Sequence, residues 1–339
     1  MRALVYRGPG VVRLEERPVP SLAAPDDVLV RVVGTGICGT DRKILLGRFP
    51  ARPGVVLGHE SAGVVHAAGE GVRSLAAGDR VVINPTLYCG WCERCRRGAT
   101  NFCVNKTGTE VGVDRDGTFA DYVLLPERFV HRLPAAVGFS SAVLIEPLAC
   151  VLNNLMAASL GMDDAVAVLG AGPIGTLCAM VAERRARRAV AAEADPYRRA
   201  ATRRTLSRVV DAGESIEAAC GQRPSVVVDT TGLGLEKAVR LVADGGRVVL
   251  MGFDSTYTAS VPPLYLTSHG ISVIGAGDYR ADIFPVAVDL AAELEPGGLV
   301  THEFPLGRYA EAFAVLGGVT DPAPDGGYQA MKVVIRSDA

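Results

Sequence analysis

The sequence predicts an α/β protein of two domains: a mostly β first domain, then a doubly wound parallel sheet with helices on both faces. Two patterns support this fold class. Up to about residue 140, short apolar runs are separated by Gly, Pro and Asp turns. Beyond Glu146, apolar strands alternate with helical stretches. At 339 residues, 49% of them hydrophobic, the chain is long enough to bury two cores.

The first domain is expected to span residues 1–145. Its strands are predicted from apolar or alternating runs bounded by turn residues, at 27–33, 62–65, 80–83 and 119–125. A lobe at 85–106 interrupts this pattern and contains four closely spaced cysteines.

The second domain is expected to span residues 146–284. Proline suits the first helical position, so a helix is predicted at 148–160, directly after Pro147. Six nearly continuous apolar strands joined by helices indicate a parallel sheet covered on both faces, the arrangement of a doubly wound fold. The strands are predicted at 165–169, 189–193, 208–211, 226–229, 247–251 and 271–275, and the helices between them include 174–187 and 235–243.

The last segment, residues 285–339, breaks the alternation of strands and helices. It contains a predicted helix at 286–294, a stretch rich in Gly and Pro, and a last strand at 332–335. Because this segment is too small for a third domain, it is expected to rejoin the first.

Charge and composition exclude several classes of protein. A formal net charge of -2 gives no global attraction to nucleic acid or to an anionic membrane. The N-terminal apolar run is too short for a signal peptide, and no apolar run is long enough to span a bilayer, so a soluble cytoplasmic protein is expected. Sparse lysines with frequent Ala and Arg favour a GC-rich bacterial source.

One stretch is locally basic. It contains arginines at positions 184, 185, 187, 188, 198, 199, 203 and 204. We expect mostly solvated helix faces there, with contacts to cofactor phosphate or to a partner as the alternative.

A glycine motif, Gly170-Ala171-Gly172-Pro173-Ile174-Gly175, follows a predicted buried strand and opens a helix. This context predicts a dinucleotide site, because the glycines allow a tight turn and the helix N-terminus offers N–H groups to the pyrophosphate. The next strand ends at Glu193, whose carboxylate would bind a ribose diol and repel a 2′-phosphate, so NAD is favoured. Two alternatives stay open: a tight turn that binds nothing, and NADP, because Arg198 and Arg199 follow closely.

Four cysteines, Cys89, Cys92, Cys95 and Cys103, lie within fifteen positions. Four soft ligands in one small lobe predict a closed, tetrahedral structural zinc site rather than a disulfide framework. The alternative is a set of buried free cysteines. A zinc ribbon that binds nucleic acid is disfavoured, because few basic residues and no aromatic platform accompany the cysteines.

A second candidate metal site is dispersed over Cys38, His59, Glu60 and Glu146. No spacing rule connects these positions, and a single His beside Gly is ordinarily a turn residue. The combination of thiolate, imidazole and carboxylate nevertheless suits catalytic zinc, where three protein ligands leave one position open.

These motifs together resemble those of the zinc-containing medium-chain alcohol dehydrogenases, in the branch of the sorbitol and threonine dehydrogenases. The resemblance covers essentially the whole chain and implies a GroES-like catalytic domain followed by a Rossmann cofactor domain. It is carried by the four-cysteine lobe, Gly58-His59-Glu60-Ser61-Ala62-Gly63, Cys38-Gly39-Thr40-Asp41, Gly78-Asp79-Arg80-Val81 and Gly117-Thr118-Phe119-Ala120-Asp121-Tyr122.

The resemblance also implies roles for single residues. Cys38, His59 and Glu146 would hold catalytic zinc with Glu60 beside it, either exchanging with water or binding directly. Glu146 replaces a cysteine of the simple alcohol dehydrogenases, which points to the polyol branch. Thr40 would bond the reacting hydroxyl and pass its proton outward. Lys43 stands where the family often has a relay histidine, so its part in a relay or in cofactor binding is a hypothesis.

The implied activity is hydride transfer between NAD and a secondary alcohol of a polyol, cyclitol, aminocyclitol or sugar. A threonine-type amino alcohol is the nearer alternative. A zinc-free quinone or enone reductase and a non-catalytic cofactor sensor are the more distant ones. Phe49, Phe119, Tyr279 and Arg280 are candidates for the substrate pocket, although each could equally be a packing residue. A homo-oligomer, tetramer or dimer, is expected, with no nucleic acid or membrane partner.

Overall fold

The computed structural model describes residues 1–318 and 328–337, which form two compact units. The first unit is Met1–Pro147 with Arg280–Ala339, and the second is Leu148–Tyr279. Each unit has its own sheet and its own apolar core.

The described secondary structure follows in chain order. The strands are β1 (Arg2–Gly8), β2 (Val11–Glu16), β3 (Asp27–Gly36), β4 (Glu60–Ala68), β5 (Arg80–Ile83), β6 (Tyr122–Pro126), β7 (Val130–Arg132), β8 (Ala165–Leu169), β9 (Arg188–Glu193), β10 (Val209–Asp211), β11 (Val226–Asp229), β12 (Arg247–Leu250), β13 (Ser272–Ile274), β14 (Val300–Pro305) and β15 (Lys332–Arg336). The helices are α1 (Gly39–Leu45), α2 (Glu93–Arg96), α3 (Phe139–Ala142), α4 (Ile145–Ala157), α5 (Pro173–Arg185), α6 (Pro196–Thr202), α7 (Ile216–Cys220), α8 (Leu235–Leu241), α9 (Pro263–His269), α10 (Ile283–Leu294) and α11 (Tyr309–Ala314), with 3-10 turns at Thr100–Phe102, Glu127–Phe129, Pro296–Leu299 and Leu306–Arg308.

The first unit is built on a seven-stranded sheet, in which six strands follow the order β14-β15-β3-β4-β5-β7 and the seventh, β6, pairs with β3. All of these pairs are antiparallel except β14 with β15. The C-terminal strand β15 therefore lies directly beside β3, with Val334 opposite Gly36, while Glu60 of β4 is opposite Gly36 on the other side. This register brings three distant parts of the chain together at one place in the sheet.

The second unit contains a six-stranded, wholly parallel sheet in the order β10-β9-β8-β11-β12-β13. The strand order reverses between β8 and β11, as in the doubly wound fold in which ligands bind beyond the carboxyl ends of the strands. The predicted α/β fold class and the six strands are confirmed. Both ends of β11 and β8 are as predicted, and the other four strands differ from the prediction by one or two residues.

Several element boundaries were predicted wrongly. Helix α4 begins at Ile145, not 148, because a proline anywhere in the first turn costs no intrahelical hydrogen bond and Pro147 can lie inside it. Strand β6 begins at Tyr122, since Phe119 and Ala120 instead contact β1 through the N–H of Leu4 and an isolated bridge at Ala3. The segment after α10 was expected to be a Gly/Pro-rich stretch, but it contains β14 and α11. Among the described residues, no helix combines the length and apolar character that crossing a bilayer demands.

Candidate metal centres and cofactor site

The four-cysteine lobe brings all of its sulfur atoms together. Their Sγ atoms all lie within 4.8 Å of one another, and two pairs, Cys89 with Cys95 and Cys92 with Cys103, are each separated by 3.9 Å. A tetrahedron with zinc–sulfur bonds of about 2.3 Å has edges of about 3.8 Å. The lobe therefore matches the size of a zinc tetrathiolate site.

Backbone N–H groups point at these sulfur atoms. The N–H of Cys92 donates to Cys89 Sγ at 3.3 Å, and the N–H of Cys95 donates to Cys92 Sγ at 3.5 Å. Although burial opposes ionisation, donors from Asn105, Trp91 and Cys92 lower the pKa of Cys89 to about 6, whereas burial raises the pKa of Cys95 to about 12. Four sulfurs this close cannot all be anionic unless a cation lies among them, which is the condition that zinc meets.

A second group combines Cys38, His59 and Glu60, whose ligand atoms also lie within 4.8 Å of one another. Cys38 is the N-cap of α1, two residues after β3 ends, and Glu60 begins β4. The two strands pair at Gly36 and Glu60, so the sheet register is what brings the thiolate to the imidazole and carboxylate. This triad of donor types fits catalytic zinc.

Gly58 sets the direction in which His59 leaves the chain. Its φ of +91° is a left-handed conformation that favours glycine, and a Cβ there would lie 2.9 Å from the backbone N of Phe119. The neighbouring loop fastens this turn, because the N–H of Thr118 donates to Gly58 O and the N–H of Phe119 donates to Leu57 O, both at 2.9 Å. His59 is thus held on a tightly packed backbone.

Asp41 is a wholly buried carboxylate behind this group, at 0% exposure. Its Oδ2 accepts the N–H of Cys38 at 2.9 Å, and its Oδ1 lies 3.8 Å from His59 Nδ1. Within the described part of the chain, neither Asp41 Oδ1 nor His59 Nδ1 has a hydrogen-bond partner. At 3.8 Å the two atoms are just beyond hydrogen-bond distance, so Asp41 acts on the ring through its charge; a shorter separation would let it orient the ring of a metal-binding histidine and fix its tautomer.

The electrostatics of the second group favour a cation. Burial by itself lowers the pKa of His59, but the negative charges of Asp41, Cys38 and Glu146 raise it well above its ordinary value. Burial raises the pKa of Asp41, with the charge of Glu60 adding to that effect. An anionic, buried cluster around one imidazole is the environment that a divalent metal stabilises.

Glu146 lies in the first turn of α4 and is buried. It is not in the group whose ligand atoms share the 4.8 Å limit, but its charge acts on both His59 and Lys332. The structure thus places Glu146 in the electrostatic surroundings of the second group. Its coordination of zinc stays a prediction.

Sequence reasoning missed Lys332, the first residue of β15. This lysine is 3% exposed, forms an ion pair with the Glu60 carboxylate, and donates from Nζ to Ile37 O at 3.1 Å. Burial lowers the pKa of Lys332, but the charges of Glu60, Cys38 and Glu146 raise it above its ordinary value. No local signal in the sequence could have found this contact, because Lys332 follows Glu60 by more than 250 residues.

Thr40 and Lys43 both lie on α1, the short helix that starts after Cys38. Each is partly exposed, and the carbonyl of Lys43 accepts the N–H groups of Arg48 and Phe49. The structure places Thr40 two residues from the candidate ligand Cys38. The proton-transfer roles of Thr40 and Lys43 stay predictions.

The glycine motif forms the turn between β8 and α5. Gly170 has φ +87°, and Gly175 packs so tightly on the carbonyl of Gly170 that no side chain fits there. Gly172 is the N-cap of α5, with Pro173 at the first helical position, and Ile174 follows it. The turn therefore has the geometry of a dinucleotide-binding loop at a helix N-terminus.

Glu193 ends β9 and reaches this turn. Its carboxylate accepts the N–H of Ala171 at 2.6 Å and the N–H of Asp195 at 2.9 Å. Arg198 lies against the turn as well, because a Cβ on Gly172 would be 3.4 Å from its Nη1. Arg199 instead pairs with Asp211 at 2.7 Å and donates to the carbonyl of Glu193. Of the two arginines, Arg198 is the one beside the candidate cofactor site.

The four pocket candidates have differing surroundings. Phe119 and Tyr279 are each 1% exposed, and Phe119 belongs to the core of the first unit, edge to face with Phe313. Phe49 packs partly buried against that core, and Arg280 forms an ion pair with Asp282 at 2.8 Å. Core packing accounts for Phe119, so a substrate role is not needed to explain it. The pocket assignments stay predictions.

Family profiles match both parts of the chain. The profile described as alcohol dehydrogenase GroES-like domain matches residues 24–135, and the one described as zinc-binding dehydrogenase matches residues 157–293. A protein of Aspergillus clavatus named "Probable D-xylulose reductase A" is 31% identical to the chain over 308 residues, which is 86% of this chain and 86% of that protein.

Solved structures resemble the whole chain. A candidate zinc-binding dehydrogenase of Sinorhizobium meliloti 1021, bound to NADP, is 29% identical with a TM-score of 0.87 over 99% of this chain and 98% of that one. An alcohol dehydrogenase (rspB) of E. coli CFT073, complexed with NADH, is 29% identical with a TM-score of 0.88 over 99% of both chains.

Proposed function

Because the chain belongs to the zinc-containing medium-chain alcohol dehydrogenase family, in its polyol branch, we propose that it interconverts a secondary alcohol of an open-chain polyol and the corresponding ketose. The enzyme is a zinc-dependent, nicotinamide-dependent oxidoreductase. D-Xylulose is the first candidate ketose, since the relative that matches 86% of the chain is named for that substrate. The convergence of Cys38, His59 and Glu60 is the single observation that carries the proposal.

Cys38, His59 and Glu146 would hold catalytic zinc, with Glu60 beside it, either exchanging with water or binding directly. Zinc in such a site acts as a Lewis acid that favours ionisation of a hydroxyl group, and the nicotinamide ring accepts the hydride. The chain's own contribution is to bury the donors and to place Asp41 beside His59. Thr40, two residues after Cys38, would bond the reacting hydroxyl and pass its proton outward by releasing the proton of its own hydroxyl group. Together, the donors and the buried charges explain why a cation belongs there.

We propose two zincs per chain, one in each group. Metal analysis of the protein should give two equivalents. Glu146→Ala should lose one equivalent and the activity while retaining the zinc of the four-cysteine lobe. Full activity in Glu146→Ala would contradict the role given to that carboxylate.

We propose that NAD is preferred over NADP. Support comes from the negative charge of Glu193 at the glycine turn, which would repel a 2′-phosphate. Arg198 beside Gly172 is the opposing feature. The test is kcat/KM with both cofactors in the native enzyme and in Glu193→Ala, which should shift the preference toward NADP. An NADP preference in the native enzyme would overturn this assignment.

The substrate class is tested by NADH formation with a panel of polyols, cyclitols, aminocyclitols and amino alcohols. Oxidation of xylitol-type polyols well above threonine is the expected result, and the reverse order would favour the amino-alcohol alternative.

We also propose domains at 1–145 and 146–284 with 285–339 returning to the first, a homo-oligomeric state, and a cytoplasmic location. The clustered thiolates support that location, because such metal sites are typical of reducing compartments.

A further inference from the structure

Two adjacent asparagines, Asn153 and Asn154, are buried in helix α4, at 6% and 3% exposure. Asparagine is a poor helix former, because its short amide competes for nearby backbone groups. A buried amide is also unfavourable unless it is hydrogen-bonded. Two such residues in a row contradict the local preference of a helix, and contradictions of this kind are typical of functional sites.

Both amides donate to one short segment that comes directly after β13. Asn153 Nδ2 donates to Asp278 O at 2.6 Å and to Ala276 O at 3.3 Å. Asn154 Nδ2 donates to Gly277 O at 3.2 Å, and also to a carbonyl one turn back in its own helix at 2.9 Å. Two side chains therefore hold three consecutive backbone carbonyls.

Residues 276–278, the segment that the asparagines hold, lie outside the helices and strands, and two of the three are exposed. A segment that is exposed and has no secondary structure is ordinarily mobile, because few buried contacts hold it. Here buried amides fix the backbone from the side of the protein. The other side of the segment stays accessible to a ligand.

The 276–278 segment lies at the ligand-binding edge of the parallel sheet. Because all six strands run in the same direction, it shares that edge with the glycine turn after β8 and with Glu193 at the end of β9. A doubly wound sheet binds a dinucleotide across this edge, with one nucleotide over each half. Glu193 would bind the ribose of the adenosine half, so the other half of the sheet, β11 to β13, is where the nicotinamide half belongs.

We propose that Asn153 and Asn154 are positioning residues for the cofactor, which hold the 276–278 segment as one wall of the nicotinamide half of the site. This inference rests on the proposed cofactor site and goes beyond it, because it assigns the order of that site to two buried amides. A segment that is ordered before binding spares the cofactor the entropy cost of ordering it. Without the amides, the nicotinamide ring would meet a mobile backbone.

The test compares the binding of NADH and of ADP-ribose, each measured by titration calorimetry. ADP-ribose contains every part of the cofactor except the nicotinamide ring, so the ratio of the two Kd values isolates the contribution of the ring. The variants are Asn153→Leu and Asn154→Leu, which keep the approximate size of the side chain and remove its donors. Asn84→Leu, at a buried asparagine of the first unit with 2% exposure, is the matched control for a general loss of stability.

In Asn153→Leu we expect Kd for NADH to rise about tenfold and Kd for ADP-ribose to stay within about twofold of the native value, because two hydrogen bonds to the segment are lost. Asn154→Leu should raise Kd for NADH by less, about threefold, since Asn154 donates one bond to the segment. Asn84→Leu should keep the native ratio of the two Kd values, even if its melting temperature falls.

Equal weakening of NADH and ADP-ribose in Asn153→Leu would show a merely structural role and overturn the proposal, as would native binding of both. If Asn153→Leu does not fold, Asn154→Leu decides: a selective loss of NADH binding supports the proposal, and an unchanged ratio overturns it. Failure of the native protein to bind either nucleotide would instead refute the proposed cofactor site.

Discussion

His131 should make the first unit unstable in acid. It lies on β7 with its ring centroid 4.9 Å from that of Phe284 on α10. Its Nε2 is buried and has no hydrogen-bond partner among the described residues. Burial lowers its pKa from the ordinary value of 6.5 to about 4. The folded protein therefore keeps a neutral imidazole that the unfolded chain protonates more readily.

The sign and size follow from proton linkage. Because the folded pKa is the lower one, the unfolded state binds more protons below pH 6.5, and stability falls until about pH 4. With these two pKa values for His131, the free energy of unfolding falls by about 2 kcal/mol between pH 7.5 and pH 5. Its total decrease, reached well below pH 4, is roughly 3 kcal/mol.

The assay is denaturant unfolding at pH 7.5 and pH 5, followed by the fluorescence of Trp91, the single tryptophan, and by circular dichroism. Between pH 7.5 and pH 5, the free energy of unfolding of His131→Leu should fall by about 2 kcal/mol less than that of the native protein, because the variant lacks the titrating ring. At each pH, the free energy of unfolding of His131→Leu is subtracted from that of the native protein. This subtraction cancels the destabilisation by zinc loss, which acid causes in both proteins. His66→Leu, at an exposed histidine on β4, should behave like the native protein. The reasoning is refuted if His131→Leu loses as much stability as the native protein does.

Three further predictions concern the first unit and its metals. Asp41→Asn should weaken zinc binding at the Cys38 site by about 10–100-fold in chelator competition, because the carboxylate behind the histidine ring is lost, and native affinity would exclude that role. Gly58→Ala should destabilise the protein in denaturant unfolding by well over about 1 kcal/mol. Gly78→Ala has a similar φ of +93° but nothing within 4 Å of the added methyl, so it should lower the free energy of unfolding by less than Gly58→Ala does. Equal decreases would show that the contact between residue 58 and Phe119 does not matter. Cys95→Ala should lose the lobe zinc and lower the melting temperature, whereas Cys178→Ala, at a buried cysteine outside the lobe, should keep both zincs in metal analysis.

Sequence reasoning succeeded where the determinants are local. The four cysteines converge because they lie within fifteen positions of one another, so their spacing alone limits how far apart they can fold. The glycine turn is likewise set by adjacent residues between a strand and a helix. The six-stranded sheet follows from repeated apolar runs whose pattern does not depend on distant contacts.

The misses have a common physical cause, which is that the deciding interaction is not local. Strand β14 has few strongly apolar residues, and its pairing with β15 stabilises it. Asp41 was included in a motif, but its burial behind His59 depends on β3 and β4 lying side by side. Phe119 is a pocket candidate because it lies near a motif, but it is buried in the core of the first unit, where its ring packs against Phe313, far along the chain.

The return of the C-terminal segment to the first unit has a consequence for the chemistry of the second metal group. Strands β3 and β4 alone bring Cys38, His59 and Glu60 together, with Asp41 behind them, and this leaves a buried set of mostly anionic groups. Pairing of β15 with β3 adds the ammonium group of Lys332 to that set. Without β15 the same donors would remain, but the Glu60 carboxylate would lose its ion pair with Lys332. The last strand therefore contributes to the sheet, and through one lysine it also supplies a positive charge beside the buried carboxylates of the second group.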